Sequence, residues 1–198
     1  MRVALIVAVL VMLAAACGGG QAATFDPSAP CVADHQAPGA YPALEALLPT
    51  TFEGRPPARL DSGRNCSPAN LGTLARHGIR EVRFAGALWE TGERSGFTMA
   101  VLVADERALT AERVAEFYET GARAGRKTED VTRSTVDVAG REAFAIDTLN
   151  DESFQTIVVW DAPRRRAVHV LLVGSDIRET GSMAAHRDLV RKVLDAFG

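Results

Sequence analysis

From Phe97 to Ala104 every second side chain is apolar (Phe97, Met99, Val101, Val103), which is the two-residue period of a strand with one face against a core. The period returns along the chain. Ile79–Glu90 places Val82, Phe84 and Leu88 on one side and charged or small residues on the other. Val136–Thr148 reads as extended segments around Gly140, and Phe154–Asp161 and Ala167–Gly174 flank a turn at Ala162-Pro163-Arg164-Arg165. Thr91–Gly96 predicts another turn, between the first two strands. Short strands joined by such short links form an antiparallel sheet.

Helical spacing appears between the strands. Ala111–Ala124 places Val114, Phe117, Tyr118 and Gly121 on one stripe, with Thr110 to cap its start and Gly125 to end it. Met183–Phe197 has His186, Leu189, Val190, Val193, Leu194 and Phe197 at the same spacing behind Ser182. A short helix is predicted over Pro42–Leu48, an extended segment over Gly54–Leu60, and a helix from Ser67-Pro68 to Gly78. The expectation is an α+β domain: an antiparallel sheet with helices packed on one face. Phe52-Glu-Gly54-Arg55 with Leu60-Asp61-Ser62 aligns without gaps to Val138-Ala-Gly140-Arg141 with Ile146-Asp147-Thr148. Two β-β-β-α halves, 41–125 and 126–198, are one explanation, and chance similarity is the other.

The chain opens Met1-Arg2, runs apolar from Val3 to Leu13, and continues through small residues to Cys17-Gly18-Gly19-Gly20. This is the layout of a bacterial secretory signal, here residues 1–16, and it is short of the roughly 20 residues that span a bilayer. Small residues ending in cysteine resemble the lipobox of bacterial lipoproteins. The resemblance implies a lipid on Cys17 and an anchor at the outer face of a cell membrane. Ala14 stands where that family usually has Leu, and Ala14-x-Ala16 also suits the ordinary signal peptidase. With Cys17 lipidated, Cys31 and Cys66 remain, and an even pair outside the cytoplasm predicts a disulfide. The Gly-, Ala- and Pro-rich stretch 17–40 reads as a flexible tether, leaving 41–198 as a single domain.

The last third, about 130–198, resembles the Mog1/PsbP-like fold and mycobacterial lipoproteins of the LpqN type. It does so through Val138-Ala-Gly140-Arg141-Glu-Ala143, two strands, a polar gap and a closing helix. That resemblance implies the fold and a tendency toward partner binding, and it implies no site residues.

A search for chemistry returns little. The formal charge is −3, or −4 once Arg2 leaves with the signal, and its pattern gives no footprint for nucleic acid. His35, His77, His169 and His186 have no second ligand at metal spacing, so neither a metal nor a cofactor is expected. GxSxG and phosphate-binding glycine loops are absent. The carboxylate pairs Glu90/Glu93, Asp105/Glu106 and Asp151/Glu152 fall at turns and strand ends, where charge serves solubility. Arg164, Arg165 and Arg166 share a predicted turn and form either a solvated loop or a contact for anionic headgroups or wall polymer. Tyr41, Trp89 and Trp160 can contribute to a partner surface or pack internally.

The favoured expectation is a non-enzymatic binding or scaffold module at the cell envelope, partnered by the membrane and by an unidentified envelope protein. One alternative is a carrier of an apolar or lipid ligand, lined by Phe84, Phe97, Met99 and Val170. Another is a hydrolase whose site no motif reveals.

Overall fold

The computed structural model describes residues 25–104, 109–162 and 167–197. Eight strands form one antiparallel sheet: β1 (His35–Ala37), β2 (Arg59–Asn65), β3 (Val82–Glu90), β4 (Gly96–Val103), β5 (Thr128–Val138), β6 (Arg141–Asn150), β7 (Ser153–Ala162) and β8 (Ala167–Asp176). Their lateral order is β1-β2-β3-β4-β8-β7-β6-β5. The helices are α1 (Pro42–Glu45), α2 (Pro68–Leu71), α3 (Thr73–Arg76), α4 (Ala111–Ala124), α5 (Ile177–Thr180) and α6 (Met183–Phe197). The α+β class and the antiparallel sheet stand as expected.

The helices do not share one face. α1 and α6 lie over Ala85, Ala87, Phe97, Met99, Leu171 and Val173, whereas α2, α3 and α4 lie over Val82, Leu102, Ile146, Ile157, Val168 and Val170. The sheet is therefore covered on both sides. The physical reason is visible in Thr156–Trp160, five consecutive buried residues. A strand packed on both faces has no polar side to alternate with its apolar one.

The strand order is palindromic, but only with β1, which lies before residue 41 and so outside the first of the two halves. A two-fold axis through the antiparallel β4–β8 junction would, however, keep equivalent helices on one face. α4 and α6 lie on opposite faces, so the two halves are not related by that axis. The aligned turns do match: Glu53-Gly54 have φ of 49° and 76°, and Ala139-Gly140 have 53° and 75°. Both are two-residue turns with left-handed central residues.

The stretch expected to be a loose tether is partly built into the fold. β1 pairs with β2, Phe25 stacks on His35 at 3.9 Å, and Cys31 is bridged to Cys66 with Cα atoms 6.1 Å apart. Asp34 completes the clasp, accepting hydrogen bonds from the amides of Cys66 (2.6 Å) and Ser67 (2.9 Å). The helix expected to run from Ser67-Pro68 to Gly78 breaks at Gly72 (φ 49°), where an added Cβ would lie 3.1 Å from the Phe117 ring. The predicted caps hold: Ser67, Thr110 and Ser182 each accept an amide of their helix's first turn. No described helix is long and apolar enough to cross a membrane.

Candidate functional site

A groove of about 290 Å³ opens between the Phe52–Arg55 turn, the β3–β4 hairpin, α5 and α6. Phe52 and Leu189 give it an apolar floor, and Glu53, Arg55 and Lys192 give it a charged rim. Lys192 Nζ donates to Glu53 Oε1 at 2.7 Å. That hydrogen bond, reinforced by the ammonium charge, holds the Glu53 carboxyl below its ordinary value. Arg55 approaches the same carboxylate at 3.5 Å. Thr91 Oγ1, on the hairpin wall, is buried without a hydrogen-bond partner among the described residues.

The opposite wall is clamped. Glu179 of α5 accepts the Arg94 amide at 2.9 Å and the Ser95 hydroxyl. Arg94 Nε donates to the buried Asp176 Oδ2 at 2.9 Å. An added Cβ at Gly92 would lie 2.8 Å from Glu179 Oε2, so the hairpin tip follows α5 closely.

Thr180 leads from the groove wall into a buried polar chain. Its hydroxyl is 3.3 Å from Ser175 Oγ, and Ser175 Oγ is 2.7 Å from His186 Nδ1. His186 Nε2 is 3.0 Å from Thr156 Oγ1, which is 2.6 Å from Asp147 Oδ1. Arg187 donates to Asp147 Oδ2 at 2.7 Å. The carboxylate only accepts, and with a neutral ring this orders the protons from Asp147 to Ser175, while the Thr180 hydroxyl donates to the Asp176 carbonyl at 3.0 Å. Thr156 donates to Asp147, His186 Nε2–H donates to Thr156, and Ser175 donates to the bare Nδ1. Burial drives the His186 pKa down to about 4, with the attraction of Asp147 opposing the shift and the nearby Arg187 charge adding to it.

Ser175 and His186 have the contact distance of a nucleophile and its base. Yet Ser175 is 1% and His186 0% exposed, so a substrate atom cannot reach the serine while α5 and α6 cover it. What the chain does in this state is lock α6 to the sheet beside the groove. An anion entering the groove would meet Lys192 and Arg55, both already paired with Glu53.

The residues singled out by sequence distribute as follows. Cys31 and Cys66 are joined. Cys17 lies outside the described residues, as do Arg164, Arg165 and Arg166, which fall between the last β7–β8 pair, Ala162 and Ala167. Asp105 and Glu106 also lie outside them. Asp151 and Glu152 take separate cations, Lys127 at 2.7 Å and Arg178. His77 meets Glu116 at 2.8 Å, and His169 stacks on Trp160. Trp89 and Trp160 are buried in the α6-side core. The expected apolar lining is split: Phe97 and Met99 face α6, and Phe84 and Val170 face α4. The four cannot border one cavity. No three His, Cys, Asp or Glu side chains among the described residues gather around a common point.

Sequence reading placed His186 on the buried stripe but missed its partners, since Asp147, Thr156 and Ser175 come from three strands. A signal existed. Thr156 and Ser175 are polar at positions where their strands are otherwise apolar.

No protein-family model matches the sequence, and no curated protein is measurably similar to it.

Proposed function

We propose that the chain is an exported, lipid-anchored binding module of the bacterial cell envelope, held to the outer face of a membrane through Cys17 and receiving a partner at the groove. The observation that carries this reading is the Cys31–Cys66 bridge across the N-terminal strap. Such a bond persists in an oxidising compartment. It also leaves Cys17, the residue the lipobox-like sequence marks, as the one cysteine outside the pair. What favours binding over turnover is that the charges at the groove rim, Glu53, Arg55 and Lys192, pair with one another and the Ser175–His186 pair is sealed beneath the wall. Arg164, Arg165 and Arg166 add a contact for anionic headgroups or wall polymer.

Growth with a clickable palmitate analogue tests the anchor. Wild type is expected to be labelled and membrane-bound, and Cys17→Ala unlabelled. An unlabelled wild-type chain in the cytosolic fraction, with Cys31 and Cys66 as free thiols, overturns the reading. For the arginine triplet, changing all three to Gln is expected to weaken membrane or wall association at low salt. Unchanged association removes the triplet from the proposal.

A further inference from the structure

The sheet has two edges, β1 and β5, and β5 has the features of a self-pairing strand. Its ladder with β6 runs without interruption from Thr132↔Asp147 to Val138↔Arg141, bounded on one side by a bulge between Glu129 and Thr132 and on the other by the Ala139-Gly140 turn. A two-residue turn closes on a hydrogen-bonded pair. Its counterpart at Phe52–Arg55 does so, with Phe52 N to Arg55 O at 2.9 Å and Arg55 N to Phe52 O at 3.0 Å. Val138, Val136, Ser134 and Thr132 therefore spend their amides and carbonyls on β6. By alternation, Arg133, Thr135 and Asp137 direct theirs outward. The β6–β7 hairpin agrees: Asn150↔Ser153 closes the next two-residue turn, which assigns even-numbered β6 residues to β7 and odd-numbered ones to β5. Thr132, Ser134, Thr135 and Asp137 are exposed.

We propose that two copies of this chain pair antiparallel through β5, with the two-fold axis at Thr135, so that the sheet continues from one copy into the other. Three separate arguments select that register. The uninterrupted segment 132–138 has its midpoint at Thr135. An axis there makes all three outward residues hydrogen-bonded pairs: Thr135 with Thr135 of the second copy, and Arg133 with Asp137 of the second copy in both directions. The same register sets opposite charges face to face, a favourable cross-strand pair, whereas an axis at 133 or 137 would oppose like charges. Arg133 lies on the α4 face, its guanidinium 4.5 Å over the Phe144 ring of β6 and 3.4 Å from Glu119, so pairing with Asp137 of the second copy requires it to swing outward from these contacts. β5 also lacks the proline and lysine that commonly blunt an exposed edge.

The test uses single cysteines on β5 of the full chain in a Cys17→Ala background, so that one thiol is free and the result does not depend on the lipid. Thr135→Cys is expected to form a disulfide-linked dimer under mild oxidation, because its opposed Cα atoms would be about 5.5 Å apart. Thr132→Cys, equally exposed, is expected to stay monomeric, because its copies would be about 20 Å apart along the strand. Thr135→Pro removes an amide that no intramolecular bond uses. It is expected to leave melting unchanged and to abolish the dimer seen in sedimentation at about 1 mM. Equal cross-linking at 132 and 135, a wild-type monomer at that concentration, or a Thr135→Pro protein that still dimerises overturns the proposal.

Discussion

His186 concentrates the energetics of the α6 interface in one ring. It is flanked by the hydroxyls of Ser175 and Thr156, the ring of Phe154, and the charges of Asp147 and Arg187. Its folded pKa, about 4, lies below the unfolded value of 6.5, so between those values the unfolded chain binds more protons. Stability is then full above pH 6.5 and falls as pH drops toward 4, by roughly 3 kcal/mol in all. Urea midpoints across this window are expected to show the slope in wild type and to lose it in His186→Gln. A slope unchanged by the substitution would place the acid sensitivity elsewhere. His186→Ala is expected to cost about 2–4 kcal/mol at neutral pH, from the cavity and from hydroxyls stripped of a partner. Sequence made the burial of His186 readable through its helical spacing. The partners were not readable, because hydrogen bonds between β6, β7, β8 and α6 depend on strand order, and periodicity carries no strand order.

At the scale of elements, the turn at Glu53-Gly54 falls where the sequence predicts extended chain, and the Ala139-Gly140 turn holds a correctable flaw. Ala139 takes a φ of 53° at a position that favours Asn, Asp or Gly. A side-chain-bearing residue in that region costs about 1 kcal/mol. Ala139→Asn, which creates the Asn-Gly pair typical of such turns, is expected to stabilise by about 0.5–1 kcal/mol, read as a higher urea midpoint at unchanged slope. Gly140→Ala is expected to lose about as much. Only Gly140 marks the turn in the sequence, since Ala139 is a residue that φ > 0 does not favour. The placement of helices on both faces was harder to see. Its one local sign is that Ile157–Trp160 and Val170–Val173 are continuous apolar runs rather than alternating ones. β1 left no sign, since a three-residue edge strand among prolines and alanines is held by its disulfide and by Asp34 rather than by its own propensity.

Across the described residues, the strap around β1 and the closing helix α6 are fastened by different chemistry, so acid should release them in a set order. α6 depends on neutral His186 and loses that support between pH 6.5 and about 4. The strap is held by the Cys31–Cys66 bridge, which closes a 35-residue separation and stabilises by roughly 4 kcal/mol in the chain-entropy model. It is held a second time by Asp34. Burial opposes the charge of that carboxyl, but hydrogen bonds from Ser67, Cys66 and Asn70 outweigh it and keep the pKa below the ordinary 3.8. A carboxyl lowered in this way supports the fold above its unfolded pKa, and the support disappears only as pH falls below 3.8 toward the lower folded value. In the reduced protein, hydrogen exchange is therefore expected to deprotect the α6 amides first, within the His186 window. The β1 amides should follow only below pH 3.8, and Asp34→Asn should bring their release up to neutral pH. With the disulfide intact, β1 should stay protected throughout that descent. Loss of β1 before α6 in the reduced protein would mean that Asp34 is not the second fastening of the strap.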